Sequence, residues 1–298
     1  LKTLFLFYCL AGPVHAQNQV LELDGKGSYV QLPAHIFDSL QEATVEAWVR
    51  WDDWAYFSQW FAFGADITEP NSPWRSMGGN HFATSSTLQF FIYLNGNKVY
   101  LLRVNAALPL GQWCHMAMVS GPGGMRFYLN GVLAGQNGYE GSFAAIGAGE
   151  DNYLGKSNWS DNAYFHGALD EVRVWSMARS GEQIRAGMGQ GLRGDEAGLV
   201  GLWNFEAGDA TDRSEQGHHG QLCGNARTVA APFSGASELV LPSVVQGVVR
   251  DESDVPLYDA ITSLARGDVE QAAMATYADG RYALATFGAG PHVLKVRF

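Results

Sequence analysis

Tyr164-Phe-His-Gly-Ala-Leu-Asp-Glu-Val-Arg-Val-Trp175 is the stretch whose reading decides the fold. Extended backbone sends successive side chains to opposite faces. A period of two therefore groups Ala168, Asp170, Val172 and Val174 on one face, and Leu169, Glu171, Arg173 and Trp175 on the other. Asp170 then shares the valine face. A carboxylate entering a sandwich core is costly unless it is hydrogen-bonded or coordinates a cation. A bulge at Asp170-Glu171 is the alternative, since it would turn the acid back toward solvent.

Working outward, the same period recurs. Thr44-Val-Glu-Ala-Trp-Val-Arg-Trp51 places Val45, Ala47, Val49 and Trp51 on one face and Thr44, Glu46, Trp48 and Arg50 on the other. Gly111 to Ser120 is another strand, with Cys114, Met116 and Met118 on one side. Two hairpins are announced by Asn-Gly turns: Leu88 to Leu102 around Asn95-Gly96, and Met125 to Ala134 around Asn130-Gly131. Val20 to Leu32 holds two short strands around the turn at Asp24-Gly25, and Asp52 to Ser86 reads as long loops around a short strand. Downstream, Ser180-Gly-Glu-Gln183 is a capping box opening a helix through Met188. Gly198 to Phe205 is a strand, Asp212 to Leu222 a polar turn, and Ala230 to Ser237 a linker. Four further short runs follow, beginning at Val244, Pro256, Asp279 and Gly290, and they make a second, smaller β-sandwich.

Composition bounds the function. The chain has 298 residues, 36 glycines and a formal net charge of -11. That balance leaves no obvious basic surface for phosphates, which makes nucleic acid and anionic membrane surfaces poor candidates as partners. Residues 1–16 form a lysine-headed apolar run ending in Val14-His15-Ala16, a secretory signal peptide cleaved before Gln17. The protein is therefore expected to be secreted or in the cell envelope. The mature chain keeps Cys114 and Cys223, which form either one disulfide or two free thiols.

Five motifs in order carry a resemblance over residues 17–229: Leu23 to Val30, Thr44 to Val49, Gly111 to Ala117, Phe127 to Val132, and Phe165 to Trp175 with the capped helix after it. They resemble the laminin-G-like family of concanavalin A-type jelly rolls. The resemblance implies an all-β, antiparallel jelly-roll sandwich, often with calcium, in extracellular proteins that bind glycans or proteins. After a linker over 230–242, residues 243–298 resemble the carboxypeptidase regulatory-like module, which implies a smaller immunoglobulin-like β-sandwich used as a spacer or adhesive unit.

The chemistry available is that of a binding protein. Retaining glycosidases need two carboxylates about 5–5.5 Å apart. Related jelly-roll enzymes carry them as Glu-x-Asp-x-x-Glu on one strand, and no such run occurs here. His115 and His166 lie in strand patterns, and His218-His219 sits in a turn. For calcium, the oxygen ligands expected are Asp24, Asp170, Asp151, Asn158 and Asp161. For a sugar, Trp54, Trp60, Trp74 and Trp159 are the loop aromatics able to stack, although the same rings can instead plug the sandwich ends. The expected function is a secreted or envelope, non-catalytic binding or adhesion region. The alternative is an accessory binding region of a larger carbohydrate-active enzyme or envelope sensor.

Overall fold

A computed structural model describes residues 18–67, 74–94, 98–106, 108–231, 241–276, 279–287 and 291–297. The signal peptide expected over 1–16, the Asn95-Gly96 turn and most of the linker expected over 230–242 lie outside the described residues. In chain order the strands are β1 (Gln19–Asp24), β2 (Tyr29–Leu32), β3 (Ala43–Trp51), β4 (Gln59–Gly64), β5 (Ser76–His81), β6 (Thr87–Leu94), β7 (Lys98–Asn105), β8 (Cys114–Ser120), β9 (Arg126–Leu129), β10 (Val132–Gln136), β11 (Asp151–Leu154), β12 (His166–Trp175), β13 (Leu199–Trp203), β14 (Gln221–Cys223), β15 (Arg227–Ala230), β16 (Pro242–Val248), β17 (Ile261–Arg266), β18 (Val269–Ala275), β19 (Arg281–Phe287) and β20 (Val293–Arg297). The helices are short: α1 (Phe143–Ile146) and α2 (Gly181–Gly187).

The alternating faces assemble two large sheets. One has eight strands in the order β10-β9-β8-β3-β12-β1-β15, with β13 also pairing β12; the other has nine, β14-β2-β11-β4-β5-β6-β7-β19-β16. Val45, Ala47, Val49 and Trp51 point inward as their spacing requires, and meet Phe61, Phe63, Phe90 and Ile92 of the second sheet in one continuous core. Each such side chain taken from water contributes about 1.5–3 kcal/mol. The Asn130-Gly131 hairpin turn has both residues at positive φ (46° and 74°), as a type I′ turn needs.

The central strand β12 departs from strict alternation. Asp170 pairs with Trp48 but Arg173 pairs with Glu46, so Glu171 and Val172 together oppose Ala47, and Glu171 takes φ 49°. This bulge resets the period. Leu169, Val172 and Val174 reach the core. Asp170 leaves the valine face and joins Arg173 and Trp175 on the outer side. The bulge also divides one edge of β12, whose first half pairs β1 and whose second half pairs β13. Asp170 does not return to solvent, however, for it is 1% exposed. Asn18 Nδ2 donates to its Oδ2 (3.1 Å) and the Glu171 amide to its Oδ1 (2.8 Å). Burial pushes its carboxyl up to about 8, with the Glu171 and Glu206 charges adding to the rise.

The outer face of the first sheet is closed by α2 and its flanks. Ser180 and Gln183 complete the capping box, each side chain accepting from the other's backbone amide, and the helix ends at Gly187 with Met188 as its cap. Ile184 packs on Ala117, Val119 and Tyr128. Beneath lies a buried polar cluster: Glu46 Oε1 accepts from Trp175 Nε1 (2.9 Å) and Arg179 Nη1 (2.5 Å), and Arg173 bonds Glu171 and the Gly187 and Gln190 carbonyls. Burial pushes the Glu46 carboxyl up against the pull of both arginines. Burial and the same arginines hold His115 well below the usual histidine range, so it is neutral 3.8 Å from Glu46.

The C-terminal stretch folds as a small β-sandwich. β16 and β19 face the three-stranded sheet β18-β17-β20 across Leu264, Ala272 and Leu284. This unit is joined to the jelly roll rather than separate from it: β19 meets β7 in parallel at Leu284 and Asn105, and Ala283 and Ala285 enter the large core. The proposed disulfide is not formed. Cys114 points into the core from β8 of the first sheet, Cys223 lies on β14 at the edge of the second, and both are free. Burial pushes the Cys114 thiol far up, leaving it an inert thiol.

Candidate functional site

The loop Ser157-Asn-Trp-Ser-Asp-Asn162 folds over the outer face of the second sheet and is fixed there by its own small polar side chains. Ser157 Oγ accepts from Gln59 Nε2 (2.7 Å), Asn162 Nδ2 (2.9 Å) and the Trp159 amide (3.0 Å). Asn158 Oδ1 accepts from Ser76 Oγ (2.6 Å), and its amide donates to Asp66 Oδ1 (3.2 Å) and the Asp151 carbonyl (3.0 Å). A short parallel bridge joins Trp159 to Ile67.

These locks place Trp159 in an aromatic cluster. Its ring centroid lies 5.1 Å from Tyr93, 5.6 Å from Phe91 and 6.0 Å from Trp74, all at steep angles, and Trp74 meets Tyr93 at 5.3 Å. Such edge-to-face contacts hold a ring in one orientation. Trp159, Trp74 and Tyr93 are half-buried, and Phe91 is the buried floor.

Beside the cluster, Asp66 and Asp151 share the Tyr153 hydroxyl, which donates at 3.0 and 3.1 Å. Burial and those two charges raise the Tyr153 phenol well above its ordinary range. Lys156 Nζ lies 3.3 Å from Asp66 Oδ2 and 3.7 Å from the Tyr153 ring centroid. The Asp66 amide donates to Asp151 Oδ2 (2.9 Å). Every carboxylate oxygen of this pair thus has a donor from the chain itself. A cleft of about 180 Å³ runs along the loop, lined by Asp66, Ile67, Lys156, Trp159, Asn162 and Tyr164 among others.

Of the aromatics expected to stack on a ligand, the structure brings Trp159 and Trp74 together. Trp60 is fully buried in the core and cannot meet a ligand. Its place in β4 is inside the sandwich, where the sequence suggested a loop. Trp54 packs against Trp51 (5.6 Å) and His81 (5.0 Å) and plugs one end. Gln89, Phe91 and Tyr93 were not singled out from sequence, although their period of two along β6 marks one outer face. Lys156 and Asp66 carried no local signal.

The expected calcium ligands do not converge. Asp24 caps its own turn, accepting from Ser28 Oγ (2.7 Å), Asn225 Nδ2 (2.9 Å) and the Lys26 amide (2.8 Å), which hold it down at about 2. Asp170 lies in the first sheet and Asp151 in the second, Asp161 is exposed, and Asp151 and Asn158 are spent on the loop lock beside Lys156. Among the described residues no group of three or more His, Cys, Asp or Glu side chains is placed to hold a metal ion. A larger polar cleft, about 550 Å³, borders Glu22, Asp24, Asp52, His166, Asn225 and Arg227. Its charged groups are already paired, Arg227 with Glu22 (2.6 Å) and His166 with Asp53 (2.7 Å).

Residues 24–185, more than half of the chain, match the family described as the concanavalin A-like lectin/glucanases superfamily. No curated protein matches the chain. Among solved structures, the chain is similar to a presumed carbohydrate-binding protein from Bacteroides ovatus (16% identity, TM-score 0.54), the match covering 73% of this chain and 61% of that one. The chain therefore spans less than two thirds of that protein. It is also similar to the CBM40 of the Ruminococcus gnavus IT-sialidase bound to α2,3-sialyllactose (13% identity, TM-score 0.47, 56% and 96% covered). A third is domain 4 of the extracellular arabinanase AbnA from Geobacillus stearothermophilus in complex with arabinotriose (24% identity, TM-score 0.43, 56% and 75% covered). The likeness to the Bacteroides ovatus protein bears on the fold alone.

Proposed function

The chain belongs to the concanavalin A-like lectin/glucanase superfamily, and on that premise we propose that it is an exported, non-catalytic carbohydrate-binding region whose ligand rests on Trp159. The observation that carries this reading is the Trp159 cluster: a half-buried indole braced by three other aromatic rings, above a cleft rimmed by amide, hydroxyl, carboxylate and ammonium groups. A sugar presents an apolar C–H face and a polar edge. Stacking covers the first, and fixed groups of the cleft such as Ser160 and Asn162 hydrogen-bond the second.

The state of the acids beside the cleft supports binding rather than hydrolysis. Asp66 and Asp151 are fully engaged by Tyr153, Lys156, Asn158 and a backbone amide. A general acid or nucleophile would need a free oxygen facing the substrate. The signal peptide read over residues 1–16 supports export, and the small second sandwich suits a spacer between this region and whatever it serves.

A glycan array followed by titration calorimetry tests the reading. Wild type is expected to bind a subset of glycans, and Trp159→Ala to weaken that binding by at least about tenfold, or about 1.4 kcal/mol. Binding that is indifferent to Trp159→Ala would place the ligand elsewhere.

A further inference from the structure

The outer face of the second sheet continues past the Trp159 cluster. Tyr93 stands opposite Ser76 and Val99, Phe91 opposite Gly78 and Leu101, and Gln89 opposite Asn80 and Arg103, so three strands present three successive rows on one face. The Phe91 ring occupies the space that a Cβ at Gly78 would need, which keeps the middle row low. In the third row the Gln89 amide, oriented as its neighbours require, donates to Asn80 Oδ1 (3.1 Å) and accepts from Arg103. Arg103 in turn lies over the Phe82 ring, 4.2 Å from its centroid.

Phe82 begins a second aromatic group. It meets Phe57 edge-on at 5.4 Å, and Phe57 meets Tyr56 at 4.8 Å. Tyr56 is 49% exposed and Phe82 39% exposed, so both rings face solvent. Their backbone is tied to the same loop that carries Trp159, since the Ala163 amide donates to the Tyr56 carbonyl (2.9 Å). From Ser76, in the Trp159 row, to Phe82 is six strand positions, roughly 20 Å. Two aromatic platforms with a low, amide-rich floor between them therefore share one face.

We propose that this face binds the interior of an extended, uncharged glycan chain, with one contact on Trp159 and Trp74 and a second on Phe82 and Tyr56. The inference rests on the proposed sugar binding at Trp159 and deepens it. A single sugar ring is too short to touch both platforms, whereas consecutive sugars of one chain reach both across the buried floor of Asn80, Gln89 and Phe91. Neutrality follows from the two cations that border the face. Lys156 is taken by Asp66 and the Tyr153 ring, and Arg103 by Gln89 and the Phe82 ring, so neither is free to meet a carboxylate or sulfate on the sugar.

The test is calorimetry with ladders of β-1,4-linked gluco-, manno- and xylo-oligosaccharides and α-1,5-linked arabino-oligosaccharides, from disaccharide to octasaccharide, alongside sialyllactose and a sulfated galactan. Wild type, Phe82→Ala, Tyr56→Ala and Trp159→Ala are compared after far-UV circular dichroism has shown that each is folded. For at least one ladder, affinity is expected to rise with chain length by tenfold or more before levelling. Phe82→Ala and Tyr56→Ala should remove most of that rise and leave the disaccharide unchanged, and Trp159→Ala should weaken every length. A disaccharide that binds as tightly as the octasaccharide, with no effect of Phe82→Ala, overturns the two-platform chain while leaving the Trp159 site standing. Preference for the sialylated or sulfated glycan overturns neutrality. No binding by any ladder, sialyllactose or the galactan overturns this proposal and the sugar reading together.

Discussion

Ser76 Oγ and Asn158 Oδ1 are joined by a 2.6 Å hydrogen bond between two buried side chains, and that bond fastens the loop bearing Trp159 to the sheet beneath it. Removing one partner leaves a buried polar group unsatisfied, which costs about 1–3 kcal/mol. Asn158→Ala also loses the bonds to Asp66 and the Asp151 carbonyl. The expected outcome is a modest fall in melting temperature and a larger loss of glycan affinity, read by calorimetry, because the indole is no longer held in place. Unaltered affinity in a destabilised variant would show that Trp159 needs no lock.

Asp170 makes stability depend on pH with a definite sign. Its carboxyl is raised from 3.8 to about 8 in the folded chain, so between those values the folded state holds a proton that the unfolded state has released. The associated stability is full below pH 3.8 and is lost as pH rises through 8. Asp170→Asn keeps a neutral, hydrogen-bonding side chain at the bulge. Its melting temperature should exceed that of wild type above pH 8, and the advantage should vanish near pH 4. A constant difference across the range would show that Asp170 is already charged when folded.

Glu46 is the common partner of Arg179, Arg173 and Trp175 under α2. Glu46→Ala takes the counter-charge from the part-buried Arg179 and leaves Arg173 with Glu171 alone, and breaking a buried pair in this way costs about 3–5 kcal/mol. Urea unfolding should show a loss of that size. The glycan affinity of the remaining folded protein should hold, because the cluster lies on the opposite sheet from Trp159.

Lys156 already supplies a positive charge to Asp66 at the site. Glycan binding is therefore expected to be indifferent to divalent metal. Titration in excess chelator and in millimolar calcium should give the same affinity, and a calcium requirement would mean that the Asp66 and Asp151 oxygens rearrange when sugar binds.

The architecture was legible because it rests on periodicity. Val45 to Trp51, the Asn130-Gly131 turn and the Ser180 capping box each carry a local signal that tertiary packing leaves intact. Strict alternation failed at Asp170, where a bulge inserts one residue, and a single extra residue moves every later side chain to the other face. Sequence could offer both readings of that acid but could not choose, because the choice depends on the pairing of Glu46 and Trp48 on another strand. The candidate site was half legible. Trp159 and Trp74 stood out as loop aromatics, yet Trp60 looked the same and proved to be core. Lys156 and Asp66 meet only through folding, 90 positions apart, so no spacing rule could join them. Acids in turns resemble one another in sequence, and the bonds that Asp24 and Asp151 accept from Asn225 and the Asp66 amide, far along the chain, carry no local signal.

The central claim is that sugar rests on Trp159, and tryptophan fluorescence during titration with the best array glycan tests it most directly. Because nine tryptophans contribute to the signal, the decisive quantity is the difference between wild type and Trp159→Phe, which keeps a stacking ring but removes that indole. The account predicts a saturable spectral change in wild type that is much smaller in Trp159→Phe, where Trp74 alone reports from the site, while calorimetry still detects binding. The same spectral change in both proteins would contradict it.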